Sequence, residues 1–149
     1  MSEEPTYTAP DTTLLGAEHV RRYRETDGAE GYIWNGAKAL LLTVTGRKSG
    51  DKHTTPLIFE QDGDDFIVIA SVGGAPWHPS WYLNLQADNR GLVQVKGDTY
   101  EVTARDAQGD ERARLWALVN VQWPNYEVYQ SRTEREIPVV ILTPQQGER

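Results

Sequence analysis

The residues best suited to binding chemistry stand in one turn, which reads TGRKSGDKHTTP from Thr45 onward. Arg47, Lys48 and Lys52 place three cations within six consecutive positions, and glycines bracket the first two of them. A glycine turn exposes backbone N–H groups, and Arg and Lys add charge-assisted donors, so this turn could hold a phosphate or a carboxylate. The turn is neither a Walker loop nor a G-x-G-x-x-G motif, so the pattern alone leaves an ordinary solvated hairpin turn open.

Two further segments combine aromatic side chains with turns. The segment SVGGAPWHPSWYLN, from Ser71, joins two glycines, which let backbone approach a flat ligand, to three aromatic residues. The segment WPNYEVY, from Trp123, places Tyr126 and Tyr129 on one face of a short helix. A Tyr hydroxyl can hydrogen-bond a carbonyl or donate a proton, so this pair could act on a substrate. Packing in a hydrophobic core would account for both segments as well.

Composition excludes several other chemistries. The chain has no cysteine, which rules out disulfides, iron–sulfur clusters, thiolate zinc sites and a cysteine nucleophile. Its three histidines are scattered, with no carboxylate at metal-ligand spacing, so no metal site is predicted. Ser80 follows His78 but lies outside any G-x-S-x-G elbow, which argues against a serine hydrolase. The net charge of −7 disfavours binding to nucleic acid.

The cytoplasm is the predicted location. Residues 1–13 contain no Lys or Arg and no apolar run, so they do not form a signal peptide, and we interpret them as a flexible tail. No segment approaches the roughly 20 apolar residues of a membrane-spanning helix. Peripheral contact with a membrane stays open but is not favoured, because an anionic surface would repel the acidic tail. Residues 14–149 are predicted to form one domain.

Hydrophobic patterning predicts short strands with helices between them. The predicted strands are 38–45, 53–60, 66–71, 92–96, 99–104 and 137–143. Helices are predicted at 15–27, 80–87, 108–122 and around Tyr126, with Val20 and Tyr23 on the apolar face of the first. Pro56 cannot donate to a ladder, which predicts an edge or a bulge there. This order favours a mainly β (α+β) fold, a six-stranded antiparallel split β-barrel with helices on its rim.

Four blocks of the sequence, in order and at matching spacing, mark a match that runs from about residue 38 to residue 144. They read LLLTVTGRKSGDKHTTPLIF, VIASVGGAPWHPSWYLNL, TARDAQGDERARLW and PNYEVYQSRTEREIPVVIL. In these blocks the chain resembles the deazaflavin-dependent nitroreductase family, actinobacterial flavin/deazaflavin oxidoreductases of the A type. The resemblance implies a split β-barrel that binds the 8-hydroxy-5-deazaflavin coenzyme F420. It also implies hydride transfer from the reduced coenzyme to a small organic acceptor, a quinone, an activated enone or a nitroaromatic.

The resemblance also implies roles for individual residues. Arg47, Lys48 and Ser49 would hold the phosphodiester and glutamate tail of the coenzyme, which matches the anion site inferred from the basic turn. The full set of implied cofactor-binding residues is Arg47, Lys48, Ser49, His53, Thr54, Thr55, Pro56, Leu57, Ile58, Ile69, Ala70, Ser71, Val72, Ser80, Trp81, Tyr82, Leu83 and Asn84. Tyr126 and Tyr129 would cover the substrate side as the catalytic pair. We expect Tyr126 to orient the acceptor carbonyl, and a role of its hydroxyl as proton donor stays open.

Three positions depart from the family pattern. Val72 and His53 stand where family members often carry Lys and Arg, and Trp123 stands where the nitroreductase itself has Tyr. Fewer cations would weaken the binding of an anionic coenzyme tail, and the tryptophan would change the shape of the substrate pocket. Two alternatives stay open beside the F420-dependent reductase. One is an FMN-binding oxidoreductase of the same barrel, whose phosphate Arg47 and Lys48 could hold as well, and the other is a non-catalytic protein that stores the coenzyme, against which the weaker cation contacts argue. The oligomeric state is open.

Overall fold

The computed structural model of the chain describes residues 7–11 and 13–145. Within these residues, helices and strands follow one another in an order that starts with a helix and ends with a strand. They are α1 (Gly16–Thr26), β1 (Ile33–Trp34), β2 (Ala37–Thr45), β3 (Lys52–Asp62), β4 (Asp65–Ile69), α2 (Ser80–Ala87), β5 (Arg90–Val95), β6 (Asp98–Asp106), α3 (Gly109–Gln122), α4 (Asn125–Ser131) and β7 (Val139–Pro144). A 3₁₀ turn, Val72–Gly74, precedes α2. The ends of the predicted tail and domain, residues 1–6, 12 and 146–149, lie outside the described residues.

In the part of the chain that the structure describes, six antiparallel strands close into a barrel. Their order is β2–β3–β4–β7–β6–β5, and β5 pairs with β2 to complete the circle, with Leu42 opposite Val93. The two-residue strand β1 lies outside this circle and pairs only with the start of β2. The predicted six-stranded antiparallel barrel with rim helices is confirmed.

The side chains of each strand pack alternately into hydrophobic cores on the two faces of the sheet, because successive residues of a strand point to opposite sides. In β4, Phe66 and Val68 fill the barrel interior, whereas Ile67 and Ile69 pack under the helices. The outer core also contains Leu115 of α3 and both tyrosines of α4. Each fully buried aliphatic side chain contributes roughly 1.5–3 kcal/mol. Burial on both faces explains why these strands are continuous apolar runs in the sequence.

Strand β3 is paired along one side only over its first half. It pairs with β2 from Lys52 to Ile58, but with β4 only from Phe59 to Asp62. Residues 52–58 therefore keep one side without a strand neighbour among the described residues, and we call this stretch the open edge of β3. Pro56 lies within it, as its missing N–H predicts. The open edge leaves room for a ligand beside the backbone of β3.

The helices lie close to their predicted positions, and α2 spans the predicted residues 80–87. In α1 the buried side chains are His19 and Tyr23, four residues apart, while Val20 is only half-buried. The apolar face predicted for this helix is therefore wrong by one position, because His19, a polar residue, takes the place that hydropathy assigns to Val20. The last strand starts at Val139, two residues later than predicted.

Candidate functional site

A cationic groove lies between the β2–β3 turn, the open edge of β3 and the start of α2. Its volume is about 500 Å³. The residues that line it are Gly46, Arg47, Lys48, Ser49, His53, Thr54, Thr55, Ser80, Trp81 and Asn84. All but Gly46 belong to the cofactor-binding set that the sequence predicts. The groove thus brings together the basic turn and one face of α2.

Asn84 holds the arginine of this groove in position. Its Oδ1 accepts one hydrogen bond from the backbone N–H of Arg47 at 3.0 Å and another from Nη1 of the same residue at 2.7 Å. Asn84 is buried, so both bonds are shielded from water. Because the guanidinium is already fixed, an anion that binds there loses less free energy to side-chain ordering.

Glycine is needed at two positions of the basic turn for different structural reasons. The Gly50 N–H donates to the Gly46 carbonyl at 2.9 Å, and Gly50 has a φ of +79°, a conformation that favours glycine. At Gly46 a Cβ would lie 2.7 Å from Nε2 of His53, so only a glycine lets this ring pack against the turn. The turn predicted from the sequence therefore positions His53 as well as its own cations.

An aromatic cavity of about 230 Å³ adjoins the groove. Thr55 lines the groove and Pro56, the next residue of the open edge, lines the cavity. The other lining residues are Leu15, Gly16, His19, Trp34, Ala39, Leu57, Ile58, Ile69, Ser71, Val72, Gly73, Trp123, Tyr126 and Tyr129. The open edge of β3 thus forms one wall of two neighbouring compartments, one cationic and one mainly apolar.

Tyr126 and Tyr129 meet in the wall of this cavity that α4 supplies. Both are buried, and their rings are 6.2 Å apart at 75°. Within residues 7–11 and 13–145 neither hydroxyl makes a hydrogen bond, and every fully enclosed side-chain nitrogen or oxygen there has a partner, so both hydroxyls border the cavity. Burial, and to a lesser degree the neighbouring Tyr129, raises the pKa of Tyr126 far above its usual value. Tyr126 therefore keeps its proton and presents a hydrogen-bond donor.

The loop after β4 forms another wall, and Arg135 holds it. The Arg135 guanidinium donates to the carbonyls of Ser71 at 2.7 Å, Ala75 at 2.8 Å and Ala70 at 3.1 Å. Within this loop Val72 has a φ of +46°, which is strained for a β-branched residue. Strained backbone of this kind persists only where neighbouring contacts hold it, and Arg135 provides such contacts.

Three members of the predicted cofactor-binding set line neither compartment. Tyr82 points away from the groove and donates a hydrogen bond to Oδ2 of Asp106 at 2.5 Å. Ala70 is completely buried, and Leu83 packs against the barrel core. Successive residues of a helix are 100° apart, so the face that carries Trp81 and Asn84 turns Tyr82 away. The sequence could not separate these neighbours, because the prediction assigned the whole segment at once.

The cavity also contains residues that sequence reasoning missed, chiefly His19 of α1 and Trp34 of β1. Both lie far from the predicted motifs in sequence. His19 reaches the cavity because α1 packs across β3, and Trp34 because β1 pairs with the start of β2. The available signal was the i, i+4 spacing of His19 and Tyr23, which places both on one helix face.

The chain belongs to the F420H(2)-dependent quinone reductase family, whose family model matches residues 15–144. It is similar to the F420H(2)-dependent quinone reductase Rv1261c of Mycobacterium tuberculosis, with 43% identity over 129 residues that cover 84% of this chain and 87% of the relative. The resemblance inferred from the four sequence blocks is thereby confirmed. The chain is a reductase, and its cofactor is coenzyme F420.

Two solved structures are similar to this chain. An F420-H2 dependent reductase, FDR-A, has a TM-score of 0.66 and 40% identity, covering 70% of this chain and 92% of the other. A structure described as a domain-swapped dimer has a TM-score of 0.68 and 36% identity, covering 83% of this chain and 96% of the other. Among the described residues, no helix is both long and apolar enough to cross a membrane.

Proposed function

We propose that this chain transfers a hydride from reduced coenzyme F420 to a quinone, with activated enones and nitroaromatics as further acceptors. The observation that carries the proposal is the meeting of the cationic groove and the aromatic cavity at Thr55 and Pro56. A coenzyme with an anionic tail and a flat ring matches the groove, and a small apolar acceptor matches the cavity. Quinone reduction is also the activity named for the relatives in M. tuberculosis.

The residues of the groove fit the coenzyme. Arg47, Lys48 and Ser49 would hold its phosphodiester and glutamate tail, and Asn84 keeps Arg47 aimed for this purpose. The open edge of β3 would face the ring system, because its backbone is free of a strand neighbour there in the described part of the chain. When bound in reduced form, the coenzyme supplies the hydride, while the protein supplies position and polarity.

The cavity sets the kind of acceptor. Its volume of about 230 Å³ is below the roughly 300–1,000 Å³ typical of pockets that enclose a drug-sized ligand. A planar head group of one or two rings therefore fits, and any longer substituent must extend outside. We assign the Tyr126 hydroxyl as the donor that orients the acceptor carbonyl, and Tyr129 as the ring that closes this side. The reaction is placed in the cytoplasm, a location that stays a prediction.

A titration of the purified protein with F420, followed by quenching of the coenzyme's fluorescence and paralleled by FMN, tests the cofactor. We expect saturable binding of F420 and much weaker binding of FMN. Oxidation of the reduced coenzyme with a panel of quinones, enones and nitroaromatics then tests the acceptor, and we expect the highest kcat/KM with quinones. Preference for FMN would favour the flavin-dependent alternative, and tight F420 binding without turnover would favour the storage alternative.

A further inference from the structure

His19 is fixed in the cavity wall by one of its two ring nitrogens. Its Nε2 lies 2.8 Å from the Gly31 carbonyl oxygen. A carbonyl only accepts hydrogen bonds, so Nε2 carries a hydrogen. Gly31 has a φ of +103°, and a Cβ there would lie 2.9 Å from Cδ2 of the histidine. The glycine therefore allows the close approach that makes this hydrogen bond.

Aromatic neighbours fix the plane of the ring. The imidazole stacks on Trp34 with 6.3 Å between centroids and 25° between planes, and Trp34 in turn lies 5.7 Å from Trp123. All three residues line the aromatic cavity. His19 is only 3% exposed, so the ring has little freedom to turn.

The second nitrogen, Nδ1, is left over by this arrangement. It has no hydrogen-bond partner in residues 7–11 and 13–145. Every fully enclosed side-chain nitrogen or oxygen in those residues has a partner, so Nδ1 is partly open to the cavity or solvent. The Nε2 and Cδ2 edge faces Gly31, so the opposite edge, with Nδ1, is the one left to face the cavity. A histidine that served only to join α1 to the Gly31 loop would not need this open edge.

We propose that Nδ1 of His19 donates a hydrogen bond to the carbonyl oxygen of the bound quinone and supplies the proton that completes its reduction. This inference rests on the proposed function. The quinone gains a hydride, with its electron pair, from the reduced coenzyme and a proton from the imidazolium, so the Nδ1–H bond breaks as an O–H bond forms. The products are the quinol and a neutral imidazole, which regains a proton from water.

Tyr126 and His19 then have different tasks on the same acceptor. The buried phenol is a poor acid because its pKa is raised, so it donates a hydrogen bond without giving up its proton. The proposal requires the imidazolium form of His19, because in the neutral ring with its hydrogen on Nε2 the Nδ1 atom only accepts. The imidazolium can satisfy Gly31 with one N–H and protonate the acceptor with the other. The two side chains reach the cavity from different helices, α4 and α1.

The variant His19→Gln separates the two nitrogens, because the glutamine amide can replace Nε2 as a donor to Gly31 but offers nothing at Nδ1. We expect its kcat/KM for quinones to fall about 100-fold, in the range usual for loss of a general acid. Its Kd for F420 and its melting temperature should stay near those of the wild type. His19→Ala should lower the melting temperature as well. Wild-type quinone turnover in His19→Gln would overturn the proposal.

His78→Gln is the matched control, since His78 lines neither compartment and a glutamine amide oxygen can still accept the hydrogen bond that Arg135 donates to His78 Nδ1. Its quinone turnover should stay within about twofold of the wild type. If the wild type itself reduces no quinone, the proposed function fails and this inference with it. If the wild type reduces quinones and His19→Gln does so equally, only the role of His19 fails.

A second measurement needs no variant of His19. In ¹⁵N-histidine-labelled protein saturated with oxidised F420, which cannot turn over, addition of menadione should shift the Nδ1 resonance of His19. The resonances of His78, assigned with His78→Gln, should not move. An unchanged His19 resonance under conditions where menadione binds would overturn the proposal.

Discussion

Tyr126 illustrates how burial alone prepares a side chain for a task. Its hydroxyl lies in the wall of the aromatic cavity without a partner in the described part of the chain, and burial raises its pKa. A donor without a partner among the described residues is available to a ligand, and a donor that stays neutral does not repel an acceptor on which negative charge develops. The role assigned to Tyr126 therefore depends on its hydroxyl and not on its ring.

Tyr126→Phe tests this role because it removes the hydroxyl and keeps the ring. We expect kcat/KM for quinones to fall about 10- to 100-fold, as for the loss of one donor to developing charge. The free energy of unfolding should be almost unchanged, because the hydroxyl makes no hydrogen bond to a described residue. Tyr100→Phe, in the barrel core, is the control and should retain turnover. Unchanged kcat/KM across several acceptors in Tyr126→Phe would show that the hydroxyl takes no part.

Contact between α4 and the 3₁₀ turn determines the position of Tyr126 and Tyr129 in the cavity wall. Gly74 has a φ of +87°, and a Cβ there would lie 2.5 Å from the Tyr129 carbonyl oxygen and 3.0 Å from its Cα. Backbone thus packs directly on backbone at this point. Any side chain at Gly74 must push α4 away from the loop after β4.

Gly74→Ala should lower the free energy of unfolding by about 2–4 kcal/mol, from left-handed backbone strain plus steric overlap. It should also raise KM for the acceptor, because Tyr129 moves with α4. Chemical denaturation and steady-state kinetics measure the two effects. Gly63→Ala has a similar φ of +62° but no atom within 4 Å, so about 1 kcal/mol and no change in KM are expected. Equal losses in both variants would contradict the packing argument.

At the scale of helices and strands, some features of the candidate site could be predicted from the sequence and others could not. The proposed anion site is formed by consecutive residues, so Arg47, Lys48 and Ser49 could be predicted together, and the missing N–H of Pro56 predicted an edge or a bulge. The aromatic cavity could not be predicted, because His19, Trp34 and Tyr126 come from three separate elements. Tyr82 was grouped with the groove because a segment-wide assignment ignores the rotation of a helix. The positions of the cavity residues and of Tyr82 depend on tertiary contacts, which local propensity does not predict.

At the scale of the whole molecule, an acidic protein must bind an anionic coenzyme. The net charge is −7, and the cations of the groove are concentrated in one turn. At low ionic strength the distant carboxylates repel the coenzyme tail while Arg47 and Lys48 attract it at short range. The close contacts with Arg47 and Lys48 outweigh the distant carboxylates, and because the turn is exposed, salt screens these attractive contacts as well.

Binding of F420 should therefore weaken when salt reaches about 0.5 M, because contacts with an exposed cationic turn are screened. We expect Kd to rise several-fold between about 0.05 and 0.5 M NaCl, measured by fluorescence titration. Arg47→Ala should raise Kd at low salt and flatten this dependence. Arg90→Ala, whose guanidinium pairs with Asp88 outside the groove, should keep the wild-type slope. A Kd independent of salt in the wild type would argue against ionic binding of the tail.

The open edge of β3 has a consequence for the chain before it meets its coenzyme. Unpaired strand edges are templates on which other strands can add, and this one is seven residues long. In the proposed binding mode the ring system covers the same backbone that a foreign strand would use. Addition of F420 is therefore expected to reduce strand addition at this edge, so that chains without coenzyme self-associate more readily than chains that hold it.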